Sequence, residues 1–280
     1  MRTLRRGADR PRTVGEGTES RHGISFGAHY DPENTFFGAL LAQNEELLDP
    51  GAGFPTHRHR EADLVTWVLT GELRHTDSLG NARTVHPGEL QVLAAGTGVE
   101  HAEFAGAAPT TFLQSWLVPD DLEPPALYSR DFTDALGTGC PVLVAAGSTI
   151  TASGARPALT ADPAPHETIT PALSADPHRR TPALSADPHR RTPALSADPL
   201  PLRRSDAALW IARLPESAGW TLPQAPYVQV RVVRGGATTP AGELGEGDEL
   251  RLTDEPAQPL TAGAGGAEVL VWTMGSDLRL

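Results

Sequence analysis

The feature that most restricts how this chain can fold is the spacing of its turn residues. Between Ser25 and Leu117, short apolar or alternating runs are interrupted again and again by glycine- or proline-containing turns. Phe36–Leu41 is one such run, and Asp49-Pro-Gly-Ala-Gly53 is a turn. Asp63–Thr70 is rich in β-branched and aromatic residues and stops at Gly71-Glu72. Leu73–Asp77 alternates in polarity, and Ser78-Leu-Gly-Asn81 reads as a hairpin turn. Pro87-Gly88 precedes Glu89–Leu93, Ala95–Gly98 precedes Val99–Phe104, and Thr111–Val118 closes the set. With no convincing helix between these runs, the expected fold class is all-β, an antiparallel sandwich or barrel. The 28 glycines and 26 prolines suit a chain of many short strands and turns.

A second β-rich stretch runs from about Ala207 to Leu280, with Ala208–Leu214, Tyr227–Arg234 and Glu268–Met274 as strands. Its order of strand, Gly turn (Gly235-Gly236) and Gly-Asp turn (Gly245–Asp248) echoes the first stretch, so an internal duplication of one barrel is expected. Between the two lies a repeat. T-P-A-L-S-A-D-P-H-R-R occupies Thr170–Arg180 and again Thr181–Arg191, and Thr192–Pro199 begins a third copy. An eleven-residue period can signal a right-handed supercoil, but paired prolines such as Pro171 and Pro177 break a helix in every copy. The expected organisation is a disordered tail at 1–20 and a first barrel at 21–123. A connector and the start of the second barrel follow at 124–155, then a disordered Pro-rich insertion at 156–204 and a second barrel at 205–280.

Charge and residue usage remove several function classes. A net formal charge of −12 argues against general nucleic-acid binding and against a polybasic membrane surface. All 23 basic residues are arginine, which points to a GC-rich bacterial genome and leaves no lysine for a Schiff base or a P-loop. Cys140 is the single cysteine, so an intramolecular disulfide and a Cys-rich zinc site are excluded. No apolar run is long enough to span a membrane, and no apolar region follows Arg5-Arg6, so a cytoplasmic location is expected.

Two pairs carry the chemistry: His57-Arg-His59 and His101-Ala-Glu103. On a strand, residues i and i+2 point to one face, so each pair aims both side chains the same way. Two such strands facing each other would converge four ligands. Three imidazoles and a carboxylate suit Fe(II), Mn(II), Ni(II), Cu(II) or Zn(II), and four protein ligands leave two adjacent octahedral positions open. An H-x-H pair arises by chance in roughly one chain in three of this histidine content, so the weight falls on its surroundings. His75 and His86 have no partner at ligand spacing and are placed outside the site, as are His178 and His189 within the repeat.

Those surroundings are specific. G-A-G-F-P-T-H-R-H-R-E-A-D-L-V-T-W-V-L-T-G-E-L-R-H-T-D-S-L-G-N and P-G-E-L-Q-V-L-A-A-G-T-G-V-E-H-A-E-F resemble the two signatures of the pirin family within the cupin superfamily. The upstream S-F-G-A-H-Y-D-P-E-N-T-F-F-G does so too, and the C-terminal part resembles the second cupin more loosely. The resemblance implies a bicupin of two antiparallel, jelly-roll-type β-barrels. It also implies one divalent metal, usually iron, in the N-terminal barrel on His57, His59, His101 and Glu103. Some bacterial pirins resemble quercetin 2,3-dioxygenase, which opens a flavonol with dioxygen and releases carbon monoxide; there Glu103 would also be the catalytic proton acceptor. Other pirins are described as regulators that bind a protein partner, and some relatives have lost the metal. A monomer is expected. Arg58 stands where the family usually has proline, adding charge near the mouth. Asp63 stands where it usually has glutamate, shortening any reach toward a ligand. The stretch from Asp206 onward holds no histidine, so the second barrel is expected to be metal-free.

Overall fold

A computed structural model describes residues 1–150 and 198–278. The chain opens with β1 (Arg2–Arg5), a 3-10 turn at Gly7–Asp9, and the hairpin β2 (Arg12–Gly15) and β3 (Thr18–His22). Next come β4 (Leu40–Leu48), β5 (Gly53–His59), β6 (Asp63–Thr70), β7 (Leu73–Asp77) and β8 (Ala82–Val85). They are followed by β9 (Glu89–Ala94), β10 (Val99–Ala105), β11 (Thr110–Leu117) and β12 (Ala126–Asp131). A helical turn α1 (Thr133–Leu136) leads to β13 (Val142–Ala146). The second half holds β14 (Leu200–Pro201), β15 (Ala207–Leu214), β16 (Gly219–Thr221) and β17 (Tyr227–Thr239). It ends with β18 (Gly242–Leu244), β19 (Glu249–Thr253) and β20 (Pro259–Met274).

In the first half a seven-stranded sheet, β12-β9-β6-β11-β4-β3-β2, packs on a four-stranded sheet, β5-β10-β7-β8. Their shared core mixes strands of both: Leu48, Val68 and Phe112 from the larger sheet meet Leu73, Val85 and Ala105 from the smaller. The second half is one nine-stranded sheet in which the long β17 and β20 carry the shorter strands and wrap a core of Trp220, Val230, Leu250 and Val271. The duplicated jelly-roll expected from the sequence is therefore what forms, as packed sheets rather than hydrogen-bonded closed cylinders. Antiparallel pairing dominates, with β13–β14 a parallel pair.

Strand β6 is buried over almost its whole length, which its run of Leu, Val and Trp allows. Its even residues Leu64 and Val68 join cores inside the first half. Its odd residues Val65, Trp67 and Leu69 enter a separate cluster with Leu209, Ile211, Leu270 and Trp272 of the second half. That cluster is the seam joining the two barrels. Three hydrogen bonds cross it: Trp67 Nε1 donates to Glu268 Oε1 (3.0 Å), Gln43 Nε2 to Gln229 Oε1 (2.9 Å) and Trp272 Nε1 to Ser115 Oγ (3.3 Å).

Three boundaries differ from the sequence expectation. Residues 1–20 are not a disordered tail. β1 pairs with β19 of the second barrel, while β2 and β3 extend the first barrel's sheet beside β4. The arginines that made this segment look like a solvated tail meet acidic partners far along the chain: Arg2 Nε with Glu255 (2.8 Å) and Arg6 Nη1 with Asp248 (2.5 Å). β12 is more than a connector, because it forms an edge of the first barrel's sheet against β9. Most of the insertion expected at 156–204 lies outside the described residues. Its last part is ordered, with β14 beside β13 and the Arg203 N–H donating to Asp63 Oδ2 at 2.7 Å. Among the described residues, no helix is long and apolar enough to cross a membrane.

Candidate metal centre

The inner face of the four-stranded sheet gathers the histidines. On β5 the odd positions His57 and His59 turn inward, while Arg58 is exposed. On β10 the inward set is His101, Glu103 and Ala105, alternating with exposed Glu100 and Phe104. The two strands pair antiparallel with His101 opposite His57 and Val99 opposite His59. A register shift follows between His101 and Glu103, so that Glu103 stands opposite Phe54. On both strands the i, i+2 residues share a face; cross-strand register brings His101 to His57 and His59, whereas Glu103 falls in a second group with His101 and His75.

Three imidazoles form a compact group. His57 and His101 ring centroids are 4.5 Å apart, His57 and His59 4.8 Å, and His59 and His101 5.0 Å. The Nε2 atoms of His57 and His101 are 3.1 Å apart. The His57 Nδ1–H donates to the Pro55 carbonyl (2.8 Å), which fixes the tautomer and leaves Nε2 with its lone pair facing the group. Two adjacent nitrogens, each about 2.1 Å from one metal ion at a right angle, would be about 3 Å apart. His59 Nε2 and His101 Nδ1 are buried without a protein partner. The unsatisfied His59 Nε2, beside the closely spaced Nε2 atoms of His57 and His101, fits a shared cation.

Glu103 joins from the side. It groups with His101 and His75, all three buried. Gln114 Nε2 on β11 donates to both Glu103 oxygens (3.0 and 3.2 Å) and to Thr66 Oγ1 (3.2 Å). Trp116 Nε1 donates to Gln114 Oε1 (2.8 Å), and the Trp116 ring stands edge-on to His59 with centroids 4.7 Å apart. The seven-stranded sheet thus supplies the opposite wall, from the same even positions of β6 and β11 that face the first barrel's interior.

Burial sets the charge state of the chamber. Desolvation first, then the neighbouring imidazoles, hold His101 down to about 3 and His59 to about 4. Both are neutral near pH 7, as a nitrogen ligand must be. Desolvation pushes Glu103 up to about 7 against the opposing hydrogen bond from Gln114. A cation placed against this carboxylate would oppose that shift.

His75 is a correction. The sequence reading put it outside the site, yet it is 1% exposed and its ring lies 5.3 Å from that of His101. It faces Glu103 across the β7–β10 pairing, with Nε2 3.2 Å from Asp77 Oδ2. The usable signal was parity, since His75 shares the inward register of Leu73 two residues earlier. Gln114 and Trp116 were also missed, and only their even positions on β11 mark them. His86 is exposed and belongs to neither candidate metal group. Asp63 is fully buried, but its carboxylate holds the Arg203 N–H rather than reaching a histidine. Among the described residues, the candidate metal groups lie in the first barrel.

Residues 5–117 match the pirin family. A Mycobacterium tuberculosis protein provisionally named a quercetin 2,3-dioxygenase is 37% identical over 278 residues, 98% of this chain and 96% of that one. The chain belongs to the pirin family. The quercetin 2,3-dioxygenase of Escherichia coli is 37% identical over 105 residues, which cover 37% of this pirin and 46% of the relative. Among solved structures, YhhW from Escherichia coli superposes with a TM-score of 0.75 at 24% identity, covering 100% of both chains.

Two outcomes test the centre. Replacing His57 and His59 together by alanine is expected to abolish stoichiometric metal uptake, measured by elemental analysis of protein grown with iron and manganese, because half the ligand set is gone. Stoichiometric metal in that variant would contradict the assignment. The second concerns the metal-free protein. A carboxyl whose pKa rises from 4.5 to about 7 on folding has its stabilising, protonated form below 4.5 and loses it as pH rises through 7. Glu103→Gln, which cannot ionise, should therefore gain in melting temperature over wild type between about pH 5 and about pH 8. A constant difference would show that Glu103 is not held protonated by burial.

Proposed function

We propose that this pirin is a metal-dependent dioxygenase acting on flavonols such as quercetin. His57, His59, His101 and Glu103 would hold one divalent transition metal per chain. Fe(II) is the first choice, with Mn(II), Ni(II), Cu(II) and Zn(II) compatible with the same donors. The observation that carries this reading is a group of three imidazoles, His57, His59 and His101, sharing His101 with the buried Glu103 carboxylate, with the Trp116 ring edge-on to His59. The names of the mycobacterial and Escherichia coli relatives support the reaction class. A bacterial pirin of the same fold, solved in complex with nickel(II) at 24% identity and a TM-score of 0.74, supports a first-row metal.

When bound, a redox-active divalent metal supplies Lewis acidity toward the substrate oxygen and a route for electrons to dioxygen. The chain's own residues would do the rest. Glu103, ionised beside a bound cation, would accept the proton of the flavonol 3-hydroxyl. Gln114 orients that carboxylate through both oxygens. Trp116 and Phe26, edge to face at 5.3 Å, offer an apolar wall for a planar aromatic ligand. The chamber excludes water around the reacting groups, His101 being 1% and Glu103 2% exposed.

The test is oxygen uptake and carbon monoxide release with quercetin, using metal-loaded protein. Glu103→Gln is expected to lower turnover by ~10²–10⁴-fold, the contribution of a positioned base, while most of the metal is retained. His86→Ala, an exposed control, should leave turnover unchanged. If the loaded wild type consumes no oxygen with any flavonol, the enzyme reading fails. The metal would then belong to a metal- or redox-sensing protein that binds a protein partner.

A further inference from the structure

The seam between the barrels holds a second polar feature, on the face of the seven-stranded sheet opposite the histidine chamber. Arg231 on β17 is 2% exposed, and the Arg10 side chain, just before β2, is 7% exposed. Each has one firm protein contact here. Arg10 Nη2 donates to Glu45 Oε2 and Arg231 Nη1 to the Gly247 carbonyl, both at 2.5 Å. The remaining donors do not match. Arg10 Nε and Nη1 and Arg231 Nη2 are buried with no protein acceptor among the described residues. A buried guanidinium donor left unpaired is costly, so three on two neighbouring side chains call for an acceptor that the described residues do not supply.

The two arginines also form the common wall of two cavities, of about 210 and about 290 Å³. The first adds Arg12 and Arg21, with Glu45 and Glu246 as its acids. The second adds Arg5 and Arg6, with Asp9 and Glu249. Each cavity therefore has four arginines against two carboxylates, in a chain whose net charge is −12. The outer groups of both signs are engaged: Glu45 also pairs with Arg21 (3.8 Å) and Glu249 with Arg251, while Arg6 pairs with Asp248 (2.5 Å), Arg5 with Asp31 (3.6 Å) and Arg21 with Glu19 (2.7 Å), so the unmatched charge is that of Arg10 and Arg231. Gly247, at φ +84°, leaves room for the guanidinium, since a Cβ there would lie 2.9 Å from Arg10 Nη2. Burial, and after it the positive charge of Arg10, depress Arg231 to about 10, so the two cations crowd one another.

We propose that this seam is a binding site for a small oxyanion, a phosphate or a short dicarboxylate, gripped by Arg10 and Arg231. Arg12 and Arg21, 54% and 31% exposed, stand at its mouth. The guanidinium fork matches carboxylate and phosphate oxygens in pairs, which a single ammonium cannot do. The cavities fall at or below the range of pockets for drug-sized ligands, which start at roughly 300 Å³, so a small anion fits and a flavonol does not. An occupant would tie the N-terminal segment to both barrels at once. It would stabilise the fold in proportion to its occupancy, without touching the histidine chamber.

The experiment titrates full-length, metal-loaded protein separately with inorganic phosphate and with succinate. It uses calorimetry and thermal melting, with sodium chloride at matched ionic strength as reference. One anion per chain should bind saturably with a Kd below about 1 mM. Arg10→Gln should weaken it at least about tenfold. Arg74→Gln, which alters an exposed arginine on β7, should not weaken it. Whichever anion saturates identifies the source. Hydrogen exchange on the saturated wild type should slow at residues 7–12 and 245–248, a readout that stands even if Arg10→Gln fails to fold. The proposal is overturned if neither anion saturates or if protection appears elsewhere. It is equally overturned if Arg10→Gln gains as much melting temperature as wild type, which would mark general salting-out by phosphate.

Discussion

The whole arrangement depends on two adjacent strands, β6 and β11, that are buried on both faces and divide their side chains by parity. Even residues Thr66, Gln114 and Trp116 look into the first barrel, where Gln114 holds Glu103. Odd residues Val65, Trp67, Leu113 and Leu117 form the seam with Leu209, Leu270 and Trp272. A slip of one residue in either strand would exchange the two sets, putting leucine against Glu103 and Gln114 into an apolar seam. Each buried aliphatic or aromatic side chain is worth roughly 1.5–3 kcal/mol, so the seam residues together hold the register far more firmly than the single Gln114–Glu103 contact could. Position in the chamber is thus inherited from packing between barrels.

The chamber's electrostatics follow from that burial. With His59 and His101 held neutral and Glu103 pushed toward its protonated form, the metal-free site carries little charge in a medium that penalises charge. A bound dication would reverse the balance: it would take imidazole lone pairs and stabilise the carboxylate. Uptake of metal and loss of a proton from Glu103 would then be one linked event. The second barrel contributes no histidine and supplies instead the other side of the seam, including the arginine-lined cavities and the acidic partners of the N-terminal segment.

The sequence was most legible where chemistry is local. His57 and His59, and His101 and Glu103, sit two residues apart on strands, and that spacing alone fixes a common face. Strand and turn order in both halves was readable for the same reason. What escaped was set by pairing between distant segments. His75 enters the chamber because β7 lies beside β10, and nothing near it in sequence announces a partner. The first residues look like an arginine-rich tail by composition. They become a strand because Leu4 packs on the second barrel's core and Arg6 meets Asp248, 242 positions away. β12 looked like linker for the same reason, since its partner β9 belongs to the barrel already completed. Asp63 shows the converse: read as a shortened support for a ligand, it holds the re-entering chain at Arg203.

The account is tested most directly by anomalous diffraction from crystals of protein reconstituted with Fe(II), collected on both sides of the iron absorption edge. The proposed site predicts one iron peak per chain on the inner face of the four-stranded sheet, about 2.0–2.2 Å from the Nε2 atoms of His57, His59 and His101, with a Glu103 oxygen completing the set. A peak bound instead by His75 with His101 and Glu103, or no peak in the first barrel from stoichiometrically loaded protein, would contradict it.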